Sequence, residues 1–200
     1  CMNSDGHERI LSWPSGLYGK GRSIMEKAKI HIYCGNGKGK TTAAIGLSVR
    51  SCGRGWPVVL SQFLKGSTSG ELQVLCSLPD YHYVQAPTAT CKFVFQMNEE
   101  EKKECRRQVQ QHFADTVEAV RQYHAKLLVM DEVLDAVSLG MLDDETLAEF
   151  LRNRPEDLEV VMTGRAPTPC TDPLADYITC MEKVRHPFDK GLNARKGVEF

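Results

Sequence analysis

The segment Ile30 to Ala44 reads IHIYCGNGKGKTTAA, and its residue types suit the chemistry of polyphosphates. Gly35, Asn36, Gly37, Lys38, Gly39, Lys40, Thr41 and Thr42 form an octet whose glycines let the backbone turn, so that successive N–H groups point inward. A helix beginning near Lys40 adds its positive end at the same spot. Lys40 supplies a point charge for the β/γ region of a nucleotide, and the hydroxyl of Thr41 or Thr42 an oxygen for Mg²⁺. The strict pattern G-x-x-x-x-G-K-[ST] has a glycine where this chain has Cys34. A strand before the loop and a helix after it restore the phosphate-binding reading, since context gives such a motif its meaning. The alternative is a glycine-rich turn carrying exposed lysines.

A second chemical feature is the acidic pair Asp131-Glu132, which follows the compact apolar run Leu127 to Met130. Ligands of open α/β sheets gather at the carboxyl ends of the strands. One of the two acids is therefore expected to hold Mg²⁺, directly or through water, with Thr41 as its companion from the loop. A solvated loop start is the plainer alternative. Arg165 follows another strand end and could grip a phosphate bidentately, or could be a surface arginine. Gln62 and Lys65, after PVVLSQF, stand at a third strand end and are read the same way.

These residues need elements to position them. Ile30, Ile32 and Tyr33 predict a short strand running into the loop, and residues 40–52 a helix ended by Gly53 and Gly55. Pro57 to Phe63 and Tyr81 to Gln85 read as strands. Asn98 with Glu101 is a capping-box signature, and Val109, Phe113, Val117 and Val120 lie at helical spacing behind it. Residues 143–153 predict a helix with Leu147, Phe150 and Leu151 inward. Leu158 to Met162 predicts the next strand, Asp172 to Ile178 a short helix, and Met181 to His186 a last strand. Helices between buried strands imply an α/β fold with a parallel sheet covered on both faces. Residues 1–25 lack this periodicity and are expected to be a flexible arm, with residues 26–200 as one domain.

The whole chain sets the outer bounds. Its 200 residues allow one domain with a sizeable core. With Lys+Arg 25 against Asp+Glu 26, no global charge draws it to nucleic acid or an anionic membrane. No apolar run reaches the length of a membrane span, and the first residues lack the apolar centre of a signal peptide. A cytoplasmic location is therefore expected. The 8 cysteines show no zinc-finger spacing and are expected to be mostly buried small hydrophobes.

Read in order, GNGKGKTTAA, Arg50 with Gly53 and Gly55, QFLKG (Gln62 to Gly66), MDE (Met130 to Glu132), Arg154-Pro155, Thr163-Gly164-Arg165 and RHPFDKGLNARKGVEF (Arg185 to Phe200) resemble the P-loop type of ATP:corrinoid adenosyltransferase. The resemblance covers roughly residues 27–200. It implies a RecA-like sheet of about six strands, a homodimer, and a reaction in which a Co(I) corrinoid attacks the ribose 5′-carbon of ATP and inorganic triphosphate leaves. It implies ATP held in reversed polarity by the loop, with Lys40, Glu132 and Arg165 in catalytic roles and Arg50, Gln62 and Lys65 among the ATP contacts. It also implies an aromatic wedge under the corrin at Phe93 and Phe95, where the family has F-x-W, and corrin contacts at His186 and Phe188. A reduced flavoprotein is the implied electron donor. Two other readings stay open on the residues alone: a small-molecule kinase or ATPase, and a RecA-like module acting on nucleic acid.

Overall fold

The computed structural model describes residues 27–65, 69–86 and 97–198. Six strands form one parallel sheet: β1 Ile30–Cys34, β2 Val58–Gln62, β3 Tyr81–Val84, β4 Leu127–Asp131, β5 Glu159–Thr163 and β6 Tyr177–Cys180. Their order is β3-β2-β4-β5-β1-β6. Every strand-to-strand pairing is parallel, so all six strands end on one edge of the sheet. This is the α/β architecture expected from the alternation of helix and strand, with the six strands that the resemblance implies.

Helices cover both faces. On one lie α1 Lys40–Cys52 and the short α2 Leu72–Leu75, packed through Ala44, Leu72 and Leu75 onto Val58, Leu60, Leu127, Val129 and Val161. Small residues let α1 lie close to the sheet: Ala44, Ser48 and Ser51 are its buried positions. Ser48 bonds Tyr81 Oη at 2.8 Å, so its hydroxyl is not stranded in the interface. On the other face lie α3 Glu99–Gln122, α4 Val133–Ser138 and α5 Asp144–Asn153, around Met130, Leu128, Val160 and Phe63. The central strands β2 and β4 are buried at every position, as expected of strands sandwiched between helices.

Several sequence expectations hold in detail. Asn98 caps α3 reciprocally with Glu101, satisfying two amides that no helical carbonyl reaches. Val109, Phe113 and Val120 are buried, and Val117 packs partly buried against them. In α5, Leu147 and Leu151 are fully buried and Phe150 partly so, against Phe113.

The carboxyl-terminal region departs from expectation. The helix predicted over 172–178 is reduced to one turn, Asp172–Leu174, and the last strand is Tyr177–Cys180 rather than 181–186. The reason lies at Asp176: its carboxylate accepts from the Ile30 amide at 2.8 Å, and its own amide donates to Ile30 O at 2.9 Å. That double contact docks the β-prone Tyr177-Ile178-Thr179 alongside β1. The cysteine reading is also corrected. Cys34 and Cys105 are buried, but Cys76 and Cys180 are exposed.

Candidate active site

The glycine loop leaves β1 at Cys34 and enters α1 at Lys40. Cys34 still belongs to the strand, so the glycine of the strict motif is not needed there. The turn falls one residue later, at Gly35 with φ +104°, and again at Gly39 with φ +117°. Both angles lie where a Cβ is costly, which is why glycine stands at each. Gly39 caps α1 without any side-chain bond, and the first helical bond is Ala43 N–H to Gly39 O at 2.8 Å. The amides of Lys40, Thr41 and Thr42 thus open the helix with no carbonyl below them, as an anion requires. Lys40 Nζ folds back over the loop and donates to Gly37 O at 2.8 Å.

Gly37 corrects the expectation of an unbroken inward cradle. It is buried, and its amide donates to Met181 O at 2.7 Å. A Cβ on Gly37 would stand 2.7 Å from Met181 O and 2.8 Å from the Glu182 carbonyl, so close backbone approach is what requires this glycine. Gly35 likewise directs its amide to Arg165 O at 2.9 Å. Gly35 and Gly37 thus anchor the loop to its neighbours, and their amides are not available to an anion, whereas those at the helix start are not taken up by helical carbonyls. Asn36 and Lys38 serve the same anchoring: Asn36 Oδ1 accepts from Lys183 N at 2.9 Å, and Lys38 Nζ donates to Val198 O at 3.2 Å.

The acidic pair lies at the same edge. Asp131 ends β4 and is fully buried. Its Oδ1 accepts from Thr41 Oγ1 at 2.8 Å and Thr163 Oγ1 at 2.7 Å. Its Oδ2 takes Gln62 Nε2 at 3.3 Å and faces Lys65 Nζ at 3.5 Å. Two hydroxyls, an amide and an ammonium thus compensate one buried charge. Thr41 gives its hydrogen to Asp131, which leaves its lone pairs for a cation. Glu132 begins α4 in the left-handed region, φ +62°, an unusual conformation for a side-chain-bearing residue. Burial, then the neighbouring Asp131 charge, push its carboxyl up to about 7.

The other predicted residues divide. Gln62 and Lys65 join the cluster as second-strand partners of Asp131, with Lys65 shared by Glu71 at 3.5 Å. Arg165 is exposed at the end of β5, its backbone bonded to Gly35 N and to Asp135 Oδ1. Thr42 is exposed on the first turn of α1. Arg50 is not brought to the loop. It sits in the last turn of α1, ten residues past Lys40, about 15 Å of helix away. His186 accepts from Phe188 N at 3.1 Å and so caps its own short turn, while Phe188 is 68% exposed. Phe93 and Phe95 lie outside the described residues. Sequence reasoning gave no role to Thr163, although it stood in the noted Thr163-Gly164-Arg165 strand end. It also missed α2 and α4, each shorter than two turns.

Comparison with known proteins places this geometry in a family. The family described as ATP:corrinoid adenosyltransferase BtuR/CobO/CobP matches residues 26–200. The corrinoid adenosyltransferase of Escherichia coli K12 is 31% identical over 177 residues, covering 88% of this chain and 87% of that protein. Corrinoid adenosyltransferase CobA of Salmonella typhimurium is 32% identical over 186 residues, covering 88% and 87%. That of Pseudomonas aeruginosa is 30% identical over 179 residues, covering 88% and 85%. The glycine loop, the acidic pair at the adjoining strand end and the ordered motifs between them all fall within the matched span, and the chain belongs to the BtuR/CobO/CobP family of ATP:corrinoid adenosyltransferases.

Proposed function

We propose that this chain transfers the 5′-deoxyadenosyl group of ATP to the Co(I) centre of a corrinoid and releases inorganic triphosphate. One observation carries the reading: in a chain of this family, the uncapped start of α1, Lys40 and the Asp131-Glu132 pair meet at one edge of the sheet. In the reaction a cobalt electron pair forms the Co–C5′ bond, the C5′–O bond breaks, and its electrons leave with triphosphate as cobalt passes from Co(I) to Co(III). No proton moves in that step, so the protein's task is positioning and stabilising the charge of the leaving group. The helix-start amides and the Lys40 ammonium are the groups suited to it. Arg165, exposed at the same edge, is the further cation within the proposal.

Thr41, Asp131 and Glu132 offer oxygen donors alone, the set a hard divalent cation takes. Thr41 and Glu132 would hold Mg²⁺, with Asp131 fixing the Thr41 hydroxyl from behind. Mg²⁺ would neutralise charge on the triphosphate. Among the described residues no group of three or more His, Cys, Asp or Glu could hold a metal, so phosphate and water would complete such a site. The corrin contacts Phe93, Phe95, His186 and Phe188, a reduced flavoprotein donor, a homodimer and a cytoplasmic location complete the reading. A second copy would cover apolar side chains such as Ile178 and Leu192, which the described residues leave exposed.

The test is incubation with MgATP and a chemically reduced corrinoid, followed by absorbance and phosphate analysis. Co–C bond formation with stoichiometric triphosphate is the expected result. ADP without cobalt alkylation would replace this reading with that of a kinase or ATPase.

A further inference from the structure

Thr163 closes β5, the strand that lies between β4 with its acidic pair and β1 with its phosphate loop. It is 1% exposed. Its single hydroxyl serves both acids. The hydrogen goes to Asp131 Oδ1 at 2.7 Å, and a lone pair accepts the Glu132 amide at 2.8 Å. The second of these bonds holds the peptide that sets Glu132 in its left-handed conformation. The first meets the Thr41 hydroxyl on the same carboxylate oxygen. One oxygen of Asp131 thus receives a hydroxyl from the loop side and a hydroxyl from the β5 side, and three elements are joined through it.

The next two residues extend the same bridge. Gly164 donates to Tyr33 O at 3.2 Å, and Arg165 O accepts from Gly35 N at 2.9 Å. A Cβ on Gly164 would stand 2.5 Å from Leu134 Cβ, so the start of α4 is pressed against this strand end. The tripeptide therefore touches the loop on one side and the acidic pair on the other. A threonine that only filled space would not need its oxygen at a site where a donor and an acceptor converge.

We infer that Thr163 is a positioning residue, which sets the acidic pair relative to the phosphate loop and thereby the cation that ATP brings. The inference rests on the proposed Mg-nucleotide reading of the site. Thr163→Val keeps the branch and the volume and removes both hydrogen bonds, while Thr163→Ser restores the hydroxyl. Outer partners of metal ligands typically influence affinity or activity by about 10- to 100-fold.

The experiment titrates Mn²⁺ into the full chain with ATP, followed by electron paramagnetic resonance, alongside adenosylation rates at varied Mn²⁺. The expected result is a Mn²⁺ dissociation constant raised by about 10-fold or more in Thr163→Val, with near wild-type values in Thr163→Ser. Wild-type Mn²⁺ affinity and metal dependence in Thr163→Val would overturn the inference, even if its melting temperature fell. Equal losses in the Ser and Val variants would overturn it too, since packing and not the hydroxyl would then be responsible. If Thr163→Val does not fold, Thr163→Ala takes its place against the same Ser control. A wild-type chain that fails to bind Mn²⁺ with ATP would instead remove the underlying reading, and is seen before any variant is made.

Discussion

Asp131→Asn exchanges one oxygen of a side chain that Thr41, Thr163, Gln62 and Lys65 all address. The two hydroxyl bonds, at 2.8 and 2.7 Å, pass from a charged acceptor to a neutral one. A hydrogen bond to a charged group contributes about 1.5–3 kcal/mol and a neutral one about 0.5–1.5, so the pair loses about 2–3 kcal/mol. The Asn amide would also face the Gln62 amide donor to donor. Gln62 can relieve that by turning over, because its Oε1 is buried without a partner. Removing a fully buried charge returns some desolvation cost, which places the net loss near the lower end, about 2 kcal/mol. For a chain of this size that corresponds to a melting temperature about 4–8 °C lower. Thermal unfolding without nucleotide measures it, and adenosylation with pre-reduced corrinoid measures the accompanying loss of about 10- to 100-fold expected when a metal ligand loses its outer partner. An unchanged melting temperature together with unchanged turnover would refute the account of Asp131 as the hub of this edge.

Lys40→Ala removes one bond to a loop carbonyl and is expected to leave stability nearly intact. Its adenosylation rate should fall by about 10²-fold or more, the scale of one preorganised charge-stabilising donor; a fully active variant would refute the role. His112 gives a pH prediction. Thr116 directs its hydrogen to His112 O, so Ser61 donates to Thr116 and accepts from His112 Nε2–H, leaving Nδ1 buried as an unpartnered acceptor. Burial lowers the His112 pKa, so the fold prefers the neutral ring. Its stabilisation is complete above the unfolded value near 6.5 and is lost as pH falls from there toward the lower folded value, at up to about 1.4 kcal/mol per pH unit. The raised Glu132 carboxyl contributes a slope of opposite sign in the same window, so the His112 slope is read as the difference between wild type and His112→Gln in denaturant unfolding at about pH 7.5 and about 5.5. Gly164→Ala should cost about 1–3 kcal/mol by overpacking against Leu134, measured as a lowered denaturation midpoint. Ala at Phe93 or Phe95 should spare activity from Co(I) and reduce activity that begins from Co(II); equal loss in both assays removes these residues from the reduction step.

What could be read from the residues was what short-range physics decides. The loop between Ile30 and Cys52 announced itself because glycine spacing, the following helix and the preceding β-branched run are all local. The start of α3 did so through the Asn98–Glu101 pair. Asp131 and Glu132 were placed at the right edge by the apolar strand that delivers them. The Gly37 amide was not legible, since its partner Met181 lies far along the chain and is brought to the loop by the pairing of β6 with β1. Thr163 escaped for a related reason: a hydroxyl at a strand end gains its meaning from which strand lies beside it. The distance of Arg50 from the loop follows from helical geometry, because ten residues of rise separate it from Lys40. The expected strand at 181–186 was displaced by Asp176, whose pairing with Ile30 begins β6 earlier.

The segment after β6 takes a hydrogen bond from Gly37 at Met181, returns one to Cys34, and gives a third from Lys183 to Asn36. Three to five residues beyond Lys183 stand His186 and Phe188, assigned by resemblance to the other substrate. On the proposed reading, a shift of the glycine loop on taking up a polyphosphate would be handed on through a few peptide units to the residues proposed to meet the corrin. Amide exchange at residues 181–183 would then be a gauge of nucleotide occupancy, legible before cobalt arrives.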